Sequence, residues 1–209
     1  MNLEKLAELV LTQTDGKDRL IVAIAGPPGS GKSILAQKLL NTINNLHIDS
    51  SAAIVPMDGF HLDNSILDRL DLRERKGSPE TFDADGFVAM IQKIRKNQGP
   101  VAVPEFDREL DSTVDRGYQV LPENKIILVE GNYLLLNSEP WNKFRELVDY
   151  SIFVNPGIET LEKRLIARWI EHGYDEKSAR RRALSNDIPN AKLVMSASRS
   201  PDLAVNDSL

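Results

Sequence analysis

A chain of 209 residues with 41% hydrophobic side chains has enough material for one substantial core and too little for two independent ones. The formal net charge of -5 argues against the broad basic surface that DNA or RNA binding requires. Disulfides and cysteine zinc sites are excluded because there is no cysteine, and three scattered histidines (His47, His61, His172) do not form a metal cluster.

The N-terminal stretch "MNLEKLAELVLTQTDGKD" interrupts its apolar positions with acidic and polar residues, and nowhere does an apolar run approach the ~18 residues of a membrane span. A cytoplasmic protein with no membrane partner is expected. "RLIVAIA" (19–25) reads as a strand, followed by a helix from about Gly31 to Asn45 and a second strand, "SAAIVPM" (51–57). Residues 59 to 123 form the one long irregular region, read as a helical insertion with a loop at either end, facing substrate. "KIILVEG" (125–131) is the next strand, then a short helix near "EPWNKFREL", a strand at "VDYSIFVN" (148–155) and a long helix from Gly157 to His172. Gly173 reads as a C-cap and Asp175 as the N-cap of a further helix. Apolar strands alternating with helices predict an α/β fold, a parallel sheet covered on both faces, in a single domain over 1–209.

Between the first strand and helix lies "GPPGSGKS", which meets the pattern G-x-x-x-x-G-K-[ST] with Gly26, Gly31, Lys32 and Ser33. Pro27 and Pro28 have no N–H, so donors for a phosphate chain must come from Gly29, Ser30, Gly31, Lys32 and Ser33 at the helix N-terminus. Lys32 would reach the β- and γ-phosphates, and the Ser33 hydroxyl suits Mg²⁺.

Ligands of open parallel sheets sit beyond the carboxyl ends of the strands, where Asp58 and Glu130 fall. Asp58 is a candidate general base toward a substrate hydroxyl, and Glu130 a candidate Mg²⁺ ligand, directly or through water. A helix cap or a loop salt bridge is the alternative for either. The basic segment "EKRLIARWIEHGYDEKSARRRALSND" carries Arg164 and Arg168 four apart on one helix face, and Arg180 to Arg182 beyond. It can close as a lid, about 163–185, over a transferring phosphoryl group, or be a solvated basic helix pair. "VPEFDRELDSTVDRG" offers Glu105, Phe106, Asp107, Arg108 and Arg116 to a polyhydroxyl substrate, unless it is a plain polar loop. His61 either touches substrate or is a hydrogen-bonded structural histidine.

Taken in order, "GPPGSGKS", "PMDGFHLDN", "RKGSPETFDADGF", "VPEFDRELD", "VEGNYLLL" and "RLIARWIEHGYDEKSARRRALSNDIPN" resemble the uridine kinase, pantothenate kinase and phosphoribulokinase group of P-loop kinases, from about Leu20 to Asp202. The likeness is greatest to its nucleoside kinase-like or fructose-transport-associated branch. The resemblance implies a three-layer P-loop NTPase fold with a five-stranded parallel sheet ending at "DLAV" (202–205). It makes Asp58 the base, sets Glu130 beside Mg²⁺ and substrate, and gives the lid arginines Arg164 and Arg168 to phosphate. Two departures stand out: Phe106-Asp107 replaces the Tyr-Asp usual in uridine kinases, and the longer N-terminal region of pantothenate kinases is missing.

The expected activity is transfer of the ATP γ-phosphate to a hydroxyl of a small metabolite, a sugar, nucleoside or pantothenate-like compound. The alternative is a P-loop ATPase or regulatory module without an acceptor. A GTPase-type switch would need N-K-x-D, and neither "NKII" nor "NKFR" supplies the aspartate. The expected nucleotide site is Gly26, Gly29, Ser30, Gly31, Lys32, Ser33, Ile34, Arg164 and Arg168. The acceptor would meet Asp58, His61, Phe106, Asp107, Arg108 and Glu130. Mg²⁺ would meet Ser33 and Glu130, and catalysis would rest on Lys32, Asp58, Glu130 and Arg168. ATP and Mg²⁺ are the expected cofactors, and the chain leaves room for a homodimer.

Overall fold

The computed structural model describes residues 2–46, 51–114 and 118–206. Helix α1 (Leu3–Thr12) opens the chain, capped by Asn2, whose side chain accepts from the Lys5 N–H at 3.0 Å. It was not foreseen as a helix. Its polar residues occupy the outer face, while Leu6, Ala7 and Val10 are buried at 3–4 spacing against the next helix. Strand β1 (Leu20–Ala25) and helix α2 (Lys32–Leu46) flank the glycine-rich loop. Strand β2 (Ser51–Pro56) ends before Met57, so Asp58 lies in a 3₁₀ turn, Met57–Phe60, rather than on the strand.

The segment expected to be a helical insertion is only half so. It holds α3 (Asn64–Arg69), 3₁₀ turns at Arg73–Arg75 and Pro79–Thr81, and α4 (Ala84–Lys96). Then come four short strands: β3 (Val101–Ala102), β4 (Glu105–Asp107), β5 (Ser112–Val114) and β6 (Gln119–Val120). They form two antiparallel ribbons, β3–β6 and β4–β5, with strands of two or three residues that are too short to show alternation in sequence. The Thr113 hydroxyl ties the β4–β5 hairpin to the carbonyls of Gly59 and His61 at 3.2 and 3.3 Å, fixing it beside the turn that carries Asp58.

Strand β7 (Asn124–Gly131), a 3₁₀ segment at Trp141–Leu147 where a short helix was expected, and β8 (Tyr150–Val154) follow. Helices α5 (Ile158–Glu171) and α6 (Glu176–Arg182) form the basic pair, and Asp175 caps α6 through the Ser178 N–H as read from the sequence. A π-helical turn, Ala183–Asp187, leads into α7 (Ile188–Ala197), a helix the sequence reading did not identify, and β9 (Leu203–Val205) closes the sheet.

The five long-range strands run in the order β2-β7-β1-β8-β9, all parallel. Side chains on a strand alternate between faces, so each strand feeds two cores. Leu20, Val22 and Ile24 pack with Leu35 and Leu39 of α2 and the buried face of α1. Ile21, Ala23 and Ala25 pack with Phe87 and Ile91 of α4, Tyr133 and Trp141. With both faces covered, β1 is buried at every position, which is why it reads as an unbroken apolar run. A third cluster, Leu161, Leu165, Ala183, Ile188 and Ala191, holds α5 to α7. Among the described residues, no helix is long and apolar enough to cross a membrane.

Candidate active site

The loop between β1 and α2 bends back on itself, with the Ser30 N–H donating to the Pro27 carbonyl at 3.1 Å. Gly29 and Gly31 take φ of +79° and +92°, a region open to glycine without strain. A Cβ on Gly26 would lie 2.4 Å from the Val154 carbonyl oxygen, so this close approach to β8 also requires glycine. The turn delivers Lys32 and Ser33 to the first turn of α2, where free backbone N–H groups and the helix dipole favour an anion.

The Ser33 hydroxyl donates to Glu130 Oε2 at 3.0 Å. Glu130, on β7, is 7% exposed. Burial pushes its carboxyl up from the ordinary range, Lys32 pulls it down, Asp58 pushes it up again, and the Ser33 hydrogen bond lowers it. Two hard oxygens in contact beside a phosphate-type loop fit Mg²⁺, which takes few protein ligands together with phosphate oxygens and waters. Among the described residues, no group of three or more His, Cys, Asp or Glu forms a self-sufficient metal site.

A cavity of about 420 Å³ lies over this loop. Gly29, Gly31, Lys32, Ser33 and Ile34 line one side, and Arg164 and Arg168 of α5 the other. Arg164 Nη1 donates to the Ser30 carbonyl at 3.2 Å, clamping α5 onto the loop, and Arg168 pairs with the buried Asp187 at 3.1 Å. Gly26 and Ser30 are buried beneath the loop rather than on its cavity face.

A second cavity of about 460 Å³ adjoins the first, and Pro28, Asp58, Arg108, Asn132 and Arg168 belong to both walls. Asp58 is half-exposed at this junction, with Arg108 Nη2 at 3.7 Å from its carboxylate. His61 lines the second cavity between two rings, stacked on Phe82 at 4.1 Å and tilted against Phe106 at 4.5 Å. Burial drives its pKa down to about 4, with Asp58 opposing, so the ring is neutral near pH 7.

Two expected acceptor contacts are not brought to the cavities. The Asp107 carboxylate accepts from the N–H groups of Glu109 and Leu110 at 2.9 and 3.0 Å, shaping the turn of the β4–β5 hairpin, and lines neither cavity. Glu130 lies behind Ser33 and lines neither. Arg116 and His47 fall outside the described residues. Conversely, the second cavity is walled by Lys76, Trp169, Asp187 and the shared Asn132, to which the sequence reading assigned no role, and by Arg182, which it offered only as one of the lid arginines. Asn132 stands two residues past Glu130 at the same strand end, and that adjacency was the one available signal.

The model of the phosphoribulokinase/uridine kinase family matches residues 21–192. A Schizosaccharomyces pombe protein named a "putative uridine kinase" is 33% identical over 196 residues, covering 90% of this chain and 83% of that one. The YggC protein of Escherichia coli is 34% identical over 187 residues, 90% of this chain and 77% of that one. Among solved structures, a "putative fructose transport system kinase" from Silicibacter sp. TM1040 superposes with a TM-score of 0.93 at 38% identity, covering 98% of this chain and 99% of that one.

Proposed function

The chain belongs to the phosphoribulokinase/uridine kinase family and is a P-loop kinase, and from that premise we propose that its two cavities are the ATP and acceptor halves of one site that phosphorylates a hydroxyl of a small metabolite. The observation that carries this reading is the shared wall. Asp58, Arg108, Asn132 and Arg168 stand where the cavities meet, so a γ-phosphate entering from one side and a hydroxyl entering from the other converge on the same side chains.

In this reading, the ATP phosphates lie over the N-terminus of α2, with Lys32 on the β- and γ-phosphates. The acceptor hydroxyl sits at Asp58, which takes its proton as the oxygen attacks the γ-phosphorus. The new O–P bond forms as the bond from the γ-phosphorus to the β–γ bridging oxygen breaks, releasing ADP. Negative charge on the transferring group's equatorial oxygens is met by Lys32 and Arg168, with Arg108 at the junction. Ser33 and, directly or through water, Glu130 would hold Mg²⁺, which would supply charge neutralisation at the phosphates. Clamping of α5 on the loop through Arg164 serves to exclude water, the competing acceptor. A net charge of -5 supports a small-molecule acceptor over a nucleic acid, and dependence on Mg-ATP and metabolites suits the cytoplasm.

The test is ADP release from Mg-ATP with nucleosides, pantothenate, ketoses, aldoses and polyols, against a control without acceptor. Strong stimulation by one class is the expected result. Flat, acceptor-independent turnover would sink the transfer reading in favour of a hydrolase.

A further inference from the structure

Five cationic side chains, Arg73, Lys76, Arg108, Arg168 and Arg182, line the second cavity, and their partners separate them. Arg108 and Arg168 also line the first cavity, where phosphate charge is to be met. Lys76 is spent within the fold: its Nζ lies 2.8 Å from an Asp111 carboxylate oxygen and 2.8 Å from Asn64 Oδ1. Arg73 is paired with Asp68 at 2.7 Å.

Arg182 remains. It lines the second cavity only, and no carboxylate among the described residues lies within ion-pair distance of it. Its guanidinium stacks over the Trp169 ring at 4.8 Å, and its Nε is buried without a hydrogen-bond partner. Trp169 is itself fixed, its indole N–H donating to Asp187 Oδ2 at 2.6 Å, while Arg168 occupies the other Asp187 oxygen. The remaining wall carboxylates are likewise committed or distant in role: Asp58 to the reacting hydroxyl, Asp111 to Lys76, and Glu74 exposed to solvent on its 3₁₀ turn. Ringed by these groups is a planar fork of donors, held flat by an aromatic face and lacking an acceptor, which is the arrangement that recognises carboxylate or phosphate. A neutral acceptor could offer those donors only hydroxyl or carbonyl oxygens, whose hydrogen bonds lack the charge assistance that a carboxylate or phosphate supplies.

We infer that the acceptor is an anionic hydroxyl compound, carrying a carboxylate or phosphate group that Arg182 binds while its hydroxyl meets Asp58. This rests on the kinase reading and narrows it, setting uncharged nucleosides and free sugars aside. The experiment is calorimetric titration of the full chain, preloaded with a non-hydrolysable ATP analogue, with matched pairs: pantothenate and pantothenyl alcohol, gluconate and glucitol, ribose 5-phosphate and ribose. In at least one pair the charged member should bind at least about tenfold more tightly, the scale of a charge-assisted hydrogen bond. Which pairs respond tells carboxylate from phosphate. Arg182→Gln should erase the preference, Arg182→Lys should keep part of it, and affinity for the ATP analogue should not change in either. The inference is overturned if no charged member outbinds its neutral partner, or if the preference persists in Arg182→Gln with that variant folded. Failure of the kinase reading shows separately, as charged ligands that bind through Arg182 yet leave ADP release unstimulated.

Discussion

Asp58→Asn separates chemistry from architecture more cleanly than any other single change in this site. The side chain is 36% exposed on a 3₁₀ turn, and among the described residues its one ion pair is the 3.7 Å contact with the more exposed Arg108. Such a pair is worth at most about 1 kcal/mol, so an isosteric amide at this half-exposed position should shift stability by no more than about that amount. The fold and the nucleotide cavity should therefore survive. ATP should bind at least as tightly as before, because a negative charge is removed from the junction where the triphosphate ends. Turnover should behave otherwise: loss of a positioned base lowers kcat by about 10²- to 10⁴-fold, equivalent to about 2.7–5.4 kcal/mol of transition-state stabilisation. Steady-state ADP release with the best acceptor, alongside titration of an ATP analogue and a melting curve, reads all three quantities. A variant whose kcat stays within about threefold of the parent would remove proton transfer to Asp58 from the mechanism, since that margin is far below the roughly 10²- to 10⁴-fold that a positioned base contributes.

Lys32→Ala should weaken ATP binding far more than adenosine binding, and equal losses in equilibrium titration would mean that the loop does not read phosphates. Gly26→Ala places a methyl group 2.4 Å from the Val154 carbonyl oxygen, so the loop must shift; ATP affinity should fall by at least about tenfold, and unchanged affinity would disprove the close approach. Arg19 is 4% exposed and donates to the carbonyls of Asn124, Leu121, Pro122 and Ile94, joining the start of β7 to the end of α4. Arg19→Met should cost about 3 kcal/mol, lowering Tm by about 6–12 °C, as read by calorimetry. His61 takes up a proton near pH 6.5 when unfolded but only near pH 4 in the fold, so between those values the unfolded chain binds more protons and stability falls as the pH drops. Urea unfolding at pH 7 and pH 5 should show a loss of about 2 kcal/mol that is absent in His61→Gln, and equal slopes in the two proteins would contradict a buried neutral ring.

How much of this was legible in the sequence depends on how far along the chain each feature's causes lie. The phosphate loop is local: its glycines, lysine and serine are consecutive, and the flanking β1 and α2 declare themselves by apolar run and periodicity. Asp58 and Glu130 were legible for a related reason, because an apolar strand shows where it ends even when, as with Met57, the boundary slips by a residue. The second cavity is not local. Its wall joins the turn at Arg73–Arg75, the β4–β5 hairpin and the segment from α5 to α7, so no window of sequence contains it. The consecutive arginines show what is lost. Successive residues on a helix point about 100° apart, so neighbours of identical type meet different surroundings. Arg180 reaches Glu162 at 3.1 Å, Arg181 stays exposed beside Ser178, and Arg182 turns onto Trp169. As letters the three are equivalent. What distinguishes the third is an aromatic face one helix away, held by a buried aspartate at the end of a π-helical turn. On the anionic-acceptor inference, what marks Arg182 out is therefore not that the chain contains it but that the fold leaves it without a carboxylate among the described residues.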